Sequence, residues 1–317
     1  MSGPDTRLGE KTSLEKEIAY YSVRKKELAY RADFILENEF LRVELIDPNG
    51  DALHLFSRFN HCGYIKSVFD KKQRRQLLSS AQAEFHPFHG EGFPDEFEMP
   101  VGYDEAEENG LFLKLGVGLE IKKTFIPYTN WDMHKIAETA KTSVFVGRNK
   151  ITFTQSTAYN GYAYEYEKTI SLDGSEISIS HNLRNTCEKD LLTLWYSHAF
   201  LPIEKGNEKL ILELPEGYEI YNNGGLLRGN STRMEIPQTA EILKGTCFNW
   251  RVTNNTKNKQ VLYDGKNVYY QAEGDFSIHE LQVYINERII SVEPKLNIFC
   301  GPKNVKKWAT KYLLRRD

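Results

Sequence analysis

The side chains able to do chemistry gather in three places. The densest is Glu84-Phe-His-Pro-Phe-His-Gly-Glu-Gly-Phe-Pro-Asp-Glu-Phe-Glu, which sets His86, His89, Glu91, Asp95 and Glu96 among residues poorly suited to regular structure. A long loop of that composition usually serves a site, although a solvated acidic loop with two incidental histidines would read the same. Its histidines show neither H-x-H nor H-E-x-x-H spacing, so no metal is expected. The second place is Leu191-Leu-Thr-Leu-Trp-Tyr-Ser-His-Ala-Phe-Leu-Pro. If Leu192, Leu194 and Tyr196 share one face of a strand, His198 continues that face while Trp195 and Ser197 point the other way. Burial there could set the imidazole for proton transfer, or simply make it a hydrogen-bonded core histidine. The third is Arg288-Ile-Ile-Ser-Val-Glu-Pro-Lys, in which Glu293 ends an apolar run and Pro294 is expected to stop the strand. Such a carboxylate is either a surface strand end or one aimed into a cleft. Lys168, between Tyr166 and Ile170, carries the same ambiguity, with a solvated position as the expectation.

No nucleophile elbow, phosphate loop, dinucleotide fingerprint or clustered Ser/His/Asp set is present. Cofactor chemistry therefore has no support, and no cofactor is expected. What remains is a reaction needing a proton donor, a proton acceptor and a shaped pocket.

The elements that would carry these groups are strands. Leu41, Val43 and Leu45 alternate with Arg42 and Glu44, a half-buried strand after a first one near Phe34. Further strands are predicted over 65–69, 111–121, 143–153, 162–172, 177–183, 191–200, 209–214, 268–270, 278–285, 289–292 and 309–314. Turn chemistry separates them, including Asn160-Gly161, Asp173-Gly174 and Asp264-Gly265. Helical signal is confined to Thr12-Ser-Leu-Glu-Lys-Glu-Ile, where Thr12 and Glu15 form a capping box. The expectation is an all-β sandwich over residues 34–317, preceded by an extension at 1–33 that is partly disordered or a short helix. The polar run Arg251 to Lys259 is the best internal boundary candidate, but it fits a surface hairpin as well.

Composition narrows the partners. Lysine and arginine number 41 against 44 acidic residues, a formal charge of −3, so neither nucleic acid nor an anionic membrane is an expected partner. Cys62, Cys187, Cys247 and Cys300 are widely spaced and suggest neither a disulfide framework nor a zinc site. No apolar leader or bilayer-length run is seen, so a cytoplasmic location is expected. The 18 Tyr and 17 Phe favour strands and can also stack on sugar C–H groups.

Taken in order along the chain, these segments resemble the galactose mutarotase-like (aldose 1-epimerase-like) superfamily, from about Phe34 to Leu314. Arg58-Phe-Asn-His-Cys-Gly-Tyr-Ile is similar to an R-F-D-x-x-G-x-I turn of one bacterial-type branch. Glu96-Phe-Glu-Met-Pro-Val-Gly-Tyr-Asp-Glu-Ala followed by Lys114-Leu-Gly-Val-Gly-Leu is the most specific stretch and resembles that branch's E-F-G-I, P-x-G-Y-D-E-A and K-I-G-V-G-L signatures. The resemblance implies a large antiparallel β-supersandwich with a sugar-binding cleft on its concave face. It also implies a histidine acid and a glutamate base, roles that fall on His198 and Glu293. Glu293 would take the anomeric hydroxyl proton while His198 protonates the ring oxygen, the two bracketing the O5–C1–O1 unit. Three departures accompany the match. His89-Gly90 only partly reproduces an H-G loop, Ser197-His198 stands in place of N-H, and the G-R-Y/V-A-N-R arginine motif is missing.

Three functions follow from this resemblance: an anomer-interconverting isomerase on a sugar substrate; a non-catalytic sugar-binding or sensing protein; and an isomerase or lyase acting on a modified sugar. In the second, His89, Glu96 and Lys168 would bind ligand beside a stacking aromatic, Trp195 or Tyr196. In the third, an acidic sugar would meet Lys168.

Overall fold

The computed structural model describes residues 33–50, 57–83, 89–123, 127–203, 209–222, 225–239, 241–253, 256–265 and 267–314. The capping-box segment at Thr12 and His86 lie outside them. Among the described residues the chain is almost entirely antiparallel strand, with one 3-10 turn at Ile242–Lys244. No helix among them is long and apolar enough to cross a membrane.

Two large sheets form the sandwich. One has ten strands. Its centre comprises Lys257–Asp264, Asn267–Ser277, Val305–Leu314, Glu176–Asn185 and Tyr162–Asp173. The other has seven: Tyr218–Asn222, Thr246–Val252, Glu280–Ile285, Ile289–Cys300, Leu191–Ser197 and Asp95–Phe97 lie side by side, and Leu201–Pro202 pairs with Ile289–Cys300. The sheets meet through their apolar faces. Phe97 and Trp195 from the seven-stranded sheet touch Tyr166, His181 and Trp308 from the other. Strand alternation does the sorting: Ile177, Ile179 and Leu183 are buried while Ser180 and Arg184 are exposed.

Asn160-Gly161 closes a two-residue hairpin, with Tyr159 opposite Tyr162 and φ of 49° and 80° at the two turn positions. That geometry suits Asn-Gly and little else. Other boundaries differ from expectation. The 143–153 segment is two strands folded at Gly147, whose N–H bonds to Lys150 O at 2.8 Å. The 111–121 segment is likewise a hairpin, Leu111–Lys114 with Gly118–Ile121. Across the polar run 251–259 the chain passes from the seven-stranded sheet to the ten-stranded one.

Pro294 does not end its strand, which runs unbroken from Ile289 to Cys300. The reason is local. Pairing with Leu191–Ser197 stops at Tyr196 opposite Lys295, and pairing on that edge resumes only at Leu201 opposite Ile290. The proline's missing N–H therefore costs little, because a neighbouring strand leaves the ladder at this level. That interruption is also where His198 sits.

Candidate active site

The central strand Ile289–Cys300 directs its even-numbered residues into the sandwich, so Ser291, Glu293 and Lys295 share the outer face. Leu191–Ser197 presents Leu192, Leu194 and Tyr196 on that same face, and His198 follows. A backbone bond from His198 N–H to Pro94 O (2.8 Å) holds the histidine after its strand has ended. Register thus delivers His198 to Glu293, 95 positions apart in the chain. His198 Nε2 lies 3.2 Å from Glu293 Oε1, and both side chains are buried.

Each member of the pair is fixed from behind. Gln282, directly opposite Glu293, donates from Nε2 to Glu293 Oε2 at 3.0 Å. Ser291 Oγ lies 3.0 Å from His198 Nδ1. Phe200 stacks on the imidazole at 4.1 Å and Phe59 meets it edge-on at 5.8 Å. The close approach of Nε2 to Oε1 is a contact without hydrogen-bond alignment, because Glu293 Oε1 has no hydrogen-bond partner. One oxygen of a buried carboxylate is thereby anchored and the other left unused. Such an oxygen is a ready acceptor for a substrate hydroxyl.

Burial raises the Glu293 carboxyl to about 7, against the opposing pull of Arg58 and Lys295. Burial also pushes His198 well below 6.5, and the Arg58 charge adds to this, so its ring is neutral at pH 7. The two groups adjoin each other and do not stand a sugar ring apart, as bracketing would require. Adjacency still suits the chemistry, since O1 and O5 are both bonded to C1.

Arg58 is the residue that sequence reasoning missed. Its Nε donates to Glu96 Oε2 at 2.9 Å and its Nη2 to the Tyr196 hydroxyl at 2.9 Å, and Tyr196 also donates to Glu96. The guanidinium lies between the rings of Phe59 (4.6 Å) and exposed Trp131 (4.7 Å). Its loop, 57–62, is buried. It is tied down by Asn60, whose N–H bonds to Asp95 O at 2.9 Å and whose side chain reaches Asp95 and Tyr166. The only advance signal was Arg58-Phe-Asn itself, within a turn that resembled the branch pattern but not the arginine motif.

Glu96 and Tyr196 stand opposite each other in the ladder and belong to this site. Asp95–Phe97 is an edge strand and not irregular loop, because Asp95 and Glu96 find partners on opposite faces. Burial alone would raise the Glu96 carboxyl, but Lys114 (3.1 Å) and Arg58 outweigh it and lower it. Beyond Lys114 lies Glu120, fully buried, with neither carboxylate oxygen hydrogen-bonded. His89 is half-buried at the rim, beside Gly90. A Cβ on Gly90 would come within 2.5 Å of Phe59 and 2.9 Å of Phe200, the rings that hold His198.

Two expected ligand contacts lie elsewhere. Lys168 is not solvated and does not face the outer surface. It points into the sandwich and donates to Asp95 Oδ1 at 2.7 Å, with both side chains buried. Trp195 is also interior, its Nε1–H bonded to Asp95 Oδ2 at 2.8 Å. This inner cluster includes His181, which burial depresses to about 3.

The architecture is that of the galactose mutarotase-like β-sandwich. No protein-family model and no curated protein matches the chain by sequence. Solved structures match over nearly its whole length. A galactose mutarotase related enzyme from Lactobacillus acidophilus aligns with a TM-score of 0.60 and 13% identity, covering 89% of this chain and 97% of that one. A galactose mutarotase-like protein from Lactobacillus casei gives 0.57 and 14%, covering 89% and 99%. A GalM/aldose epimerase homologue from C. elegans gives 0.51 and 10%, covering 89% and 98%. At these identities the likeness is one of fold alone.

Proposed function

We propose that this protein is an aldose 1-epimerase-like isomerase that interconverts sugar anomers through His198 and Glu293. The carrying observation is the buried, unbonded Glu293 Oε1 beside His198 Nε2. The ring opens when Glu293 takes the O1 proton and His198 delivers one to O5. The C1–O5 bond breaks, C1=O1 forms, and rotation about C1–C2 lets the chain reclose on the other face. In the tautomer where Ser291 donates to Nδ1, 3.0 Å away, the imidazole proton sits on Nε2, the nitrogen nearest Glu293. The neutral imidazole gives its Nε2 proton to O5 and is reprotonated by the adjacent Glu293 carboxyl, which has just received the O1 proton. The site needs no cofactor for this reaction. Arg58, Glu96 and Tyr196 surround the pair with fixed donors and acceptors, which suits a small sugar.

An acidic sugar gripped by Lys168 loses its support, because that ammonium is committed to Asp95. The decisive measurement is polarimetry of freshly dissolved aldoses with wild type, His198→Ala and Glu293→Gln. Wild type is expected to speed mutarotation of at least one aldose, and each substitution to lower kcat by at least about 100-fold. If wild type leaves every aldose at its spontaneous rate, the catalytic reading fails and a sugar-binding role takes its place.

A further inference from the structure

The outer face that carries Glu293 continues, polar and partly open, toward the free edge of the seven-stranded sheet. Its side chains are linked in sequence. Gln282 donates to Glu293, Asn249 Nδ2 lies 3.4 Å from Gln282 Oε1 and 3.2 Å from Glu280 Oε1, and the Tyr221 hydroxyl donates to Glu280 Oε2 at 2.8 Å. Tyr221 lies on the edge strand Tyr218–Asn222, at a register shift between Ile220 and Asn222. A bulge of this kind re-aims a side chain, and here it brings the Tyr221 ring against Arg251, whose guanidinium lies 4.9 Å from the ring centroid. Tyr221 nonetheless remains 47% exposed. An exposed aromatic face beside amide and carboxylate groups offers a sugar an apolar surface for its C–H groups and hydrogen-bond partners for its hydroxyls.

We propose that Tyr221, Arg251, Glu280 and Asn249 form a second sugar subsite, so that the ligand is a neutral oligosaccharide whose reducing end reaches His198 and Glu293. This rests on the isomerase reading for the reducing end only. Three strand steps separate Glu293 from Tyr221, about 14 Å at the usual spacing, longer than a single pyranose. Neutrality follows from the pairing of charges. Lys295 stands between Glu98 (3.5 Å) and Glu280 (3.7 Å), and Arg251 lies across the ladder from Glu280, so the cations described along the strip are offset by its carboxylates. Amides and a phenol offer donors and acceptors together, as hydroxyl groups require.

The test is calorimetric titration of Glu293→Gln protein with glucose, galactose, cellobiose, lactose and maltotriose. Using that variant separates binding from turnover. At least one oligosaccharide is expected to bind about tenfold or more tighter than its monosaccharide. Adding Tyr221→Ala should remove that advantage, whereas Tyr221→Phe, which keeps the ring, should retain most of it. Equal affinity for oligosaccharide and monosaccharide, or an advantage that survives Tyr221→Ala, overturns the subsite. A marked preference for a uronate oligomer overturns its neutrality. An advantage that depends on Tyr221 in a protein without mutarotase activity leaves the subsite standing and removes only the isomerase reading.

Discussion

Glu120→Gln is the substitution whose consequence the structure specifies most closely. Glu120 is fully buried on Gly118–Ile121, and neither of its oxygens has a hydrogen-bond partner. The nearest ammonium, Lys114, donates instead to Glu96 (3.1 Å) and Tyr128 (2.7 Å). Burial therefore lifts the Glu120 carboxyl from 4.5 to about 8, despite the pull of Lys114. The folded state holds this proton more tightly than the unfolded chain does. Stability from the group is full below 4.5 and is lost as pH rises through about 8. At 1.36 kcal/mol per pH unit, the loss by pH 9 is on the order of 4–5 kcal/mol.

Glutamine has nearly the same shape and cannot ionise. The variant should match wild type at pH 4 and exceed it in stability at pH 9 by on the order of 4–5 kcal/mol. Urea unfolding at intervals of pH for both proteins measures this difference directly. Other groups with perturbed titration, Glu293 and His181 among them, act in both proteins and largely cancel in the comparison. A difference that stays flat between pH 4 and 9 would refute the reasoning, because it would mean Glu120 ionises in the fold as it does in water. It would also show that water or a counter-charge reaches this carboxyl.

Two further outcomes follow. Lys168→Met should destabilise by about 3–5 kcal/mol, because Asp95 is left buried without its cation, and Asp95→Asn in the same protein should restore part of that; equilibrium unfolding checks both. If Glu293 is the base, kcat/KM for mutarotation should rise with pH through about 7, and Lys295→Met should move that limb upward, because a cation favouring the carboxylate has gone; a limb that does not move would separate Lys295 from the reacting group.

Most strands were legible because alternation and turn chemistry agree in them, as at Leu41–Leu45 and at the Asn160-Gly161 hairpin. Lys257–Asp264 was not, since Asn258 and Gln260 are polar residues on a buried face, with Gln260 bonded to Asn258 at 2.6 Å. Asp95–Phe97 was hidden for a related reason: all three residues are buried, so no inside–outside pattern exists to be read. Lys168 does carry a readable signal. It shares its strand face with Tyr164, Tyr166, Ile170 and Leu172, all buried, which already placed its ammonium in the interior. Its partner Asp95 lies 73 positions away, and only sheet packing brings them together. The register of His198 with Glu293 is unreadable in the same sense.

One face of the seven-stranded sheet bears on whether this pair is incidental. Along Leu191–Ser197 and the central strand, the outer face passes from open to covered. Leu192 (57% exposed) and Phe299 (63%) stand opposite each other at the open end, while Tyr196, His198, Ser291 and Glu293 are buried at the other. Solvation alone would favour the reverse, with the apolar pair covered and the ionisable groups in water. Nothing in the strand periodicity demands this order, since leucine or valine at 198 and 293 would satisfy the same ladder. Burial of a histidine and a carboxylate that are not hydrogen-bonded to each other carries a desolvation cost that an apolar pair in the same places would avoid. Such a conflict between local cost and global fold is where function is expected to lie. The placement is accounted for if the cover excludes water from a proton transfer at this spot.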